Sequence, residues 1–158
     1  MYTPADLAAF IAAHGIDAQL ITDIGETPTV PAAAAALGVQ PDQIIKTLLF
    51  YVRSEPYVVI AHGTAPVRER VLADHFGVGK RQIRLARPDE VLEVTGYPAG
   101  GVPPFGHRRT VPVLIVPTLL AWEVVYGGGG DDRTMMRIPT AELLRVTQPT
   151  VLPAGEGS

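Results

Sequence analysis

The chain has 158 residues and no cysteine. This absence excludes a disulfide scaffold, a thiol nucleophile, an iron–sulfur cluster and a thiolate zinc site. Serine is nearly absent too, since Ser54 and the terminal Ser158 are the only two. Ser54 lacks the Gly-x-Ser-x-Gly setting of a serine hydrolase. The usual protein nucleophiles are therefore scarce, whereas glycine (16) and proline (15) are abundant.

Other absences narrow the functional classes further. No apolar run approaches the roughly 18 residues of a membrane span, and no N-terminal segment has the pattern of a signal peptide. We therefore expect a soluble, cytoplasmic protein with no membrane partner. The four histidines are scattered and fit no metal-binding spacing, so we expect no metal. Neither a P-loop nor a dinucleotide fingerprint occurs, which argues against a nucleotide cofactor.

The residues that are present predict one folded domain with a packed core. The chain is 47% hydrophobic and 18% charged, which is typical of a globular protein. We expect a domain over residues 1–148, then a frayed C-terminal tail over 149–158. Helices and strands are mixed without strict alternation, which predicts an α+β fold with a mixed sheet. The predicted helices begin near Thr3, Thr29, Thr64, Pro88 and Thr140, and the predicted strands are Ile16–Ile24, Ile44–Val52, Tyr57–Ala61, Ile83–Leu85, Val111–Val116, Ala121–Tyr126 and Thr134–Ile138.

Lys46 is an anomaly in the most apolar predicted strand, Ile44–Val52. Both faces of this strand are mostly apolar, which is typical of a central strand. A lysine in such a place costs free energy unless it is paired or reaches a wet cavity. Two interpretations stay open: either the side chain extends to solvent near the start of the strand, or its ammonium points into a binding pocket.

Two glycine-rich segments stand out. The segment Gly100–Gly106 contains adjacent prolines, which stiffen the chain and remove two N–H groups. A stiff loop with free N–H groups can hold an acyl carbonyl or an oxyanion, although an ordinary surface loop has the same composition. The run Gly127–Gly130 could let the chain pass close to a ligand or form a flexible turn. His107 follows the first segment directly and is a weaker candidate.

Positive charge is concentrated between Lys80 and Arg109, where six basic side chains face three acidic ones. The formal net charge of the whole chain is −3, so the total does not indicate a nucleic-acid-binding protein. A solvated face is the commoner role of such a cluster. The alternative is a small patch that contacts phosphates.

Three segments, taken in their order along the chain, resemble the YbaK/ProX family. Its members are free-standing relatives of the editing domain of prolyl-tRNA synthetase. Pro41–Leu49 is similar to the family's strand with its hallmark lysine. Thr95–Gly106 resembles the family's Gly-x-x-x-Pro loop, with Gly100 and Pro104 in the defining positions. Tyr126–Ile138 resembles its glycine-rich turn and closing strand. The similarity extends from the first helix to about Val146.

The resemblance implies a largely antiparallel, curved sheet surrounded by helices, and an enzyme that hydrolyses the ester of a mischarged aminoacyl-tRNA. The expected partner is the acceptor end of that tRNA, with prolyl-tRNA synthetase as a further candidate, and no cofactor is needed. Water or groups of the substrate would replace a protein nucleophile. The expected catalytic residues are Lys46, Gly100, Gly101 and Val102; the expected substrate-binding residues are Thr47, Pro103, Pro104, Phe105, Gly106, Gly128, Gly129, Gly130 and Asp131; and the expected tRNA-binding residues are Lys80, Arg81, Arg84, Arg108 and Arg109.

One departure concerns the amino acid that is removed. The branch of the family that removes cysteine has an acidic residue in the closing strand, where this chain has Met135. That branch's polar residue after the second strand is also not evident in residues 24–27. Alanine, serine, threonine and 2-aminobutyrate are therefore candidates alongside cysteine. Two other functions stay open, a catalytically silent tRNA- or nucleotide-binding module and a small-molecule esterase.

Overall fold

The computed structural model describes residues 1–22, 24 and 29–154. The helices are α1 (Pro4–Ala13), α2 (Val30–Leu37), α3 (Glu69–Phe76), α4 (Pro88–Thr95) and α5 (Thr140–Thr147). The strands are β1 (Gln19–Ile21), β2 (Ile45–Val52), β3 (Glu55–His62), β4 (Ile83–Leu85), β5 (Val113–Ile115), β6 (Val124–Gly128), β7 (Met135–Pro139) and β8 (Thr150–Val151). Short 3-10 turns cover Pro41–Gln43, Lys80–Gln82 and Pro117–Ala121.

The larger sheet has five strands in the order β4-β2-β3-β5-β8. An antiparallel hairpin of β2 and β3 forms its centre, and β5 and β8 are added in parallel. Val58, Val59 and Ile60 of β3 are fully buried. Consecutive buried residues mean that both faces of this strand are covered, as the apolar pattern of the hairpin predicts.

The smaller sheet is antiparallel, with the order β1-β7-β6. An isolated parallel bridge between Ile44 and Tyr126 joins it to the start of β2. The two sheets meet at this end, so the surface they form curves and leaves a gap beyond the bridge. The predicted α+β fold with a mixed, largely antiparallel sheet is confirmed.

Local capping explains where several helices begin and end. The Thr3 main-chain N–H donates to the Asp6 carboxylate at 2.8 Å at the start of α1, and the Thr29 hydroxyl accepts from Ala32 N–H at the start of α2. Gly38 and Gly96 end α2 and α4 in the left-handed conformation. These are the capping signals that sequence reasoning uses.

Several sequence predictions about boundaries are wrong. Strand β1 is shorter than the predicted Ile16–Ile24, of which residue 23 lies outside the described residues, and Ala121 ends a 3-10 turn instead of beginning a strand. Helix α3 begins at Glu69 and not at Thr64, because the Thr64 hydroxyl donates to the Asp42 carboxylate at 2.8 Å instead of capping a helix. The predicted tail is also partly ordered. Its residues Thr150–Val151 pair with β5, and Leu152 is buried in the core, because an apolar side chain gains free energy by leaving water.

The core lies between the larger sheet and the helices, and it includes Leu7, Leu72, Tyr97 and Leu143. Tyr97 begins the glycine- and proline-rich loop and is 1% exposed. Its ring packs edge-on against Tyr2 at 5.3 Å between centroids. Burial raises the pKa of the Tyr97 phenol to about 12, so the loop starts from a fixed, uncharged anchor. Among the described residues, no helix is long and apolar enough to span a membrane.

Candidate functional site

A cavity of about 700 Å³ opens in the gap between the two sheets. Its walls come from α2, the first half of β2, the glycine- and proline-rich loop, and the turn between β6 and β7. The lining residues are Thr29, Val30, Ala33, Ile44, Ile45, Lys46, Thr47, Leu48, Gly63, Gly100, Val102, Gly128, Asp131, Asp132, Arg133, Thr134 and Met135. The volume is that of a small-molecule site.

The main chain of β2 is open toward this cavity at Thr47. The Ile44 carbonyl accepts from Gly63 N–H on the β3 side, whereas the Leu49 carbonyl accepts from Ala86 N–H on the opposite side. Because main-chain groups alternate along an antiparallel strand, Thr47 directs its N–H and C=O away from β3. On that side β4 pairs with residues 50–52 and β6 meets the strand at Ile44, so Thr47 lies between the two paired stretches.

The Thr47 hydroxyl adds a second polar group at the same point. Its oxygen is buried and has no hydrogen-bond partner among the described residues. A buried hydroxyl without a partner costs free energy, and buried polar groups in proteins are ordinarily bonded. The Thr47 hydroxyl is therefore an unsatisfied polar group in a residue that lines the cavity.

Lys46 is partly buried and lines the cavity. Burial lowers the pKa of its ammonium group from the ordinary value. Within residues 1–22, 24 and 29–154, no carboxylate forms an ion pair with it. Of the two interpretations that the sequence leaves open, the structure favours the second, a lysine in a pocket.

Two residues of the loop over residues 100–106, Gly100 and Val102, line the cavity. In the described part of the chain, the N–H groups of Gly100 and Val102 have no hydrogen-bond partner. Gly100 has φ of +91°, a conformation that strongly favours glycine. Gly101 N–H, in contrast, donates to the Pro98 carbonyl at 3.0 Å. Free N–H groups and an ammonium group that belong to the lining of one cavity are of the kind that can polarise a carbonyl and stabilise the oxyanion formed from it.

The two glycine-rich segments form this wall by packing main chain against main chain. A Cβ on Gly128 would lie 2.5 Å from the Val102 carbonyl oxygen, and one on Gly101 would lie 2.7 Å from Asp131 Cα. Gly130 N–H donates to the Gly101 carbonyl at 2.9 Å. Glycine is required here because any side chain would force the loop and the turn apart.

Several residues predicted at the site pack behind the cavity wall and do not line the cavity. Phe105 is buried and stacks on Phe10, with 5.9 Å between ring centroids, and a Cβ on Gly106 would press on the same ring. The predicted residues that do not line the cavity are Gly101, Pro103, Pro104, Phe105, Gly106, Gly129 and Gly130. Residues 101–105 are all buried, so this part of the loop packs mainly into the protein.

His107 holds the loop in place through a hydrogen bond to its main chain. Its Nε2 lies 2.7 Å from the Pro103 carbonyl oxygen, so Nε2–H donates to that carbonyl. Burial lowers the pKa of the imidazole, and the hydrogen bond to Pro103 opposes this in part. A neutral ring with its proton on Nε2 fits both observations.

The predicted basic patch lies away from the cavity, which none of Lys80, Arg81, Arg84, Arg108 and Arg109 lines. Part of it is neutralised internally. Arg84 donates two hydrogen bonds to Glu90, at 2.7 and 2.8 Å, and Arg87 donates to Asp89. The Arg84 guanidinium lowers the pKa of the Glu90 carboxyl to about 2, which keeps this pair charged.

The family model for the aminoacyl-tRNA editing domain matches residues 25–146. The chain belongs to the aminoacyl-tRNA editing domain family. The resemblance found in the sequence is thereby confirmed. The match covers the Lys46 strand, the loop and the glycine turn, so all walls of the cavity lie within the editing domain.

Curated relatives of this editing domain are of two kinds. The uncharacterized protein YwhH of Bacillus subtilis is 30% identical over 116 residues, which are 73% of this chain and 72% of YwhH. The proline–tRNA ligase of Geobacter sp. (strain M21) is 35% identical over 86 residues, which are 54% of this chain and 15% of the ligase. The chain thus matches only a small part of that ligase.

Two solved structures resemble this editing domain along nearly the whole chain. One, described as "a putative trans-editing enzyme for prolyl tRNA synthetase", is 29% identical with a TM-score of 0.87, covering 96% of this chain and 97% of the other. The other, hypothetical protein APE2540, is 33% identical with a TM-score of 0.82, covering 92% and 96%. The two sheets and the helices therefore form the editing-domain fold.

The editing-domain cavity also contains residues that sequence reasoning did not single out. They include Val30 and Ala33 from α2, Gly63 after β3, and Asp132 and Arg133 in the turn. Met135, the residue on which the sequence prediction about the cysteine-removing branch rests, lines the cavity. Residues 25–27, where that branch's polar residue would lie, are outside the described residues. In the described part of the chain, no three His, Asp or Glu side chains converge as metal ligands.

Proposed function

We propose that this protein is an aminoacyl-tRNA deacylase that hydrolyses the ester between a small, wrong amino acid and tRNA for proline. The observation that carries the proposal is that Lys46 and the free N–H groups of Gly100 and Val102 line one cavity. An acyl-ester hydrolase needs this combination of a positive charge and preorganised donors, and the chain belongs to an editing family.

The proposed reaction uses water as the nucleophile. The water oxygen attacks the carbonyl carbon of the ester, and the N–H groups of Gly100 and Val102 donate to the resulting oxyanion. Lys46 adds positive charge beside the acyl group or the terminal phosphate. The bond from the carbonyl carbon to the ribose oxygen then breaks, the ribose oxygen takes the proton that the attacking water gives up, and free amino acid and uncharged tRNA leave. Positioning and electrostatics supply the rate without a protein nucleophile.

The walls of the cavity support a small acyl group. Val30, Ala33, Ile45 and Met135 make one side apolar. A synthetase site that accepts proline excludes smaller side chains only weakly, because one methylene is worth about 1–3 kcal/mol. A second pocket that hydrolyses the smaller products corrects such errors. A cytoplasmic location and contact with prolyl-tRNA synthetase belong to the same proposal.

A deacylation panel tests the proposal. Proline tRNA is charged separately with alanine, cysteine, serine, threonine, 2-aminobutyrate and proline, and the release of each amino acid is followed with and without the protein. We expect release of at least one small wrong amino acid, with prolyl-tRNA spared. Binding of the tRNA without any release would indicate a silent binding module, and cleavage of only a simple amino acid ester would indicate an esterase; either result contradicts the proposal.

A further inference from the structure

The cavity carries a second cationic side chain besides Lys46. Arg133 lies in the turn between β6 and β7, is exposed, and lines the same cavity. We propose that Arg133 binds a phosphate of the 3′-terminal nucleotides of the tRNA, the chemical group next to the ester in the proposed reaction. This inference rests on the proposed function and names the residue that would hold the nucleic acid.

The turn holds Arg133 in a fixed position relative to the proposed oxyanion donors. Arg133 N–H donates to the Asp131 carboxylate at 2.9 Å, and Gly129 N–H donates to the Thr134 carbonyl at 2.9 Å. The bond from Gly130 N–H to the Gly101 carbonyl then fixes the turn to the loop. The Arg133 main chain is therefore anchored to the wall that presents Gly100 and Val102.

The charge of Arg133 is available to a ligand. Among the described residues, no carboxylate lies within ion-pair distance of its guanidinium group. Two acids of the same turn, Asp131 and Asp132, also line the cavity, and the Asp131 carboxylate already accepts the Arg133 N–H. An exposed guanidinium presents a planar set of donors that matches two oxygens of a phosphate.

The arginines of the predicted basic patch, Arg81, Arg84, Arg108 and Arg109, differ in position, and two of them also differ in their contacts. None of them lines the cavity, and Arg84 is held by Glu90 through two hydrogen bonds. The Arg108 guanidinium lies 5.3 Å from the centre of the Tyr2 ring, where it contributes to packing. Position in the cavity lining favours Arg133 as the phosphate ligand over every residue of the predicted patch, and the existing contacts of Arg84 and Arg108 add to the difference.

The test compares Arg133→Gln with Arg81→Gln, an exposed arginine of the predicted patch. Affinity for uncharged proline tRNA is measured for wild type and both variants at several salt concentrations, and single-turnover deacylation of the best panel substrate is measured at saturating protein. For Arg133→Gln we expect about tenfold weaker binding, and a slope of log affinity against log salt that is smaller by about 0.7, the value for one phosphate of a single strand. The saturated rate should change less than the affinity.

The outcomes separate this inference from the proposed function. The inference is overturned if Arg133→Gln binds tRNA like wild type, or if Arg81→Gln shows the loss of affinity instead. Neither result would affect deacylation by the wild type. If the wild type releases no amino acid but binds tRNA in an Arg133-dependent way, the proposed function fails and the phosphate contact stands. Unchanged melting temperatures would show that both variants fold.

Discussion

The two walls of the cavity are built in different ways. One wall is main chain, because residues 100–102 and 127–130 pack directly against each other without side chains between them. Among the described residues, the N–H groups of Gly100 and Val102 in this wall have no hydrogen-bond partner. The other wall is side chain, made by α2 and β2 with Val30, Ala33 and Ile45. The main-chain wall has the donors for the reaction and the side-chain wall has the shape that selects an acyl group. Reaction and selectivity should therefore respond to different substitutions.

The largest effect is expected where a side chain enters the main-chain wall. Gly128→Ala places a methyl group 2.5 Å from the Val102 carbonyl oxygen, so the loop must move and the unfolding free energy should fall by about 3 kcal/mol. Deacylation should fall with it, because the Val102 N–H moves. Urea unfolding and kcat/KM measure the two effects.

Gly100→Ala is the matched control within the same wall. A Cβ there meets nothing within 4 Å, so the cost is that of a left-handed conformation, about 1–2 kcal/mol. This variant should be more stable and more active than Gly128→Ala. The reverse order would mean that the close contact between the two glycine segments does not hold the wall together.

A smaller effect, confined to selectivity, is expected from the side-chain wall. Ala33→Val narrows the cavity. 2-Aminobutyrate is larger than alanine by one methylene, which is worth about 1–3 kcal/mol in a fitted pocket. The substitution should therefore lower kcat/KM for tRNA charged with 2-aminobutyrate roughly tenfold more than for tRNA charged with alanine. Ala35→Val is the control, since Ala35 is exposed on the same helix. An equal loss for both amino acids would show that α2 does not shape the acyl pocket.

The smallest effect concerns the support behind the main-chain wall. Burial lowers the pKa of His107, while the unfolded chain keeps a value of about 6.5. Below about pH 6.5 the unfolded state binds the proton more readily than the folded state does. His107 therefore lowers the free energy of unfolding of wild type as the pH falls. In urea unfolding below about pH 6.5, the free energy of unfolding of His107→Gln should fall less with pH than that of wild type. Parallel plots of this free energy against pH for the two proteins would contradict a buried, neutral His107 ring.

Sequence reasoning predicted the parts of the fold that depend on local signals. The bounds of α4 and β4 agree with prediction, since a proline at the start and a glycine at the end mark the helix. It failed at Thr64, whose hydroxyl binds Asp42, and at Leu152, which the core buries. Both depend on contacts between distant residues, which no local pattern contains.

For the site, the useful signals were chemical anomalies. A lysine in an apolar strand and a loop rich in glycine and proline each made a binding pocket one of two interpretations of the amino-acid sequence. The α2 wall gave no such signal, because a run of alanines does not reveal which face of a helix is covered. Arg133 was missed because its turn becomes part of the cavity only when Gly130 bonds to Gly101.

The most direct test of the account uses the only two lysines of the chain, Lys46 and Lys80. Single-turnover deacylation of the best panel substrate is measured for wild type, Lys46→Ala and Lys80→Ala. Lys46 lines the cavity and Lys80 does not, so Lys46→Ala should lower the rate about 10²- to 10³-fold, a loss of the size that follows removal of one preorganised electrostatic group from an active site. Lys80→Ala should react like wild type. A Lys46→Ala protein that is folded and deacylates at the wild-type rate would contradict the account.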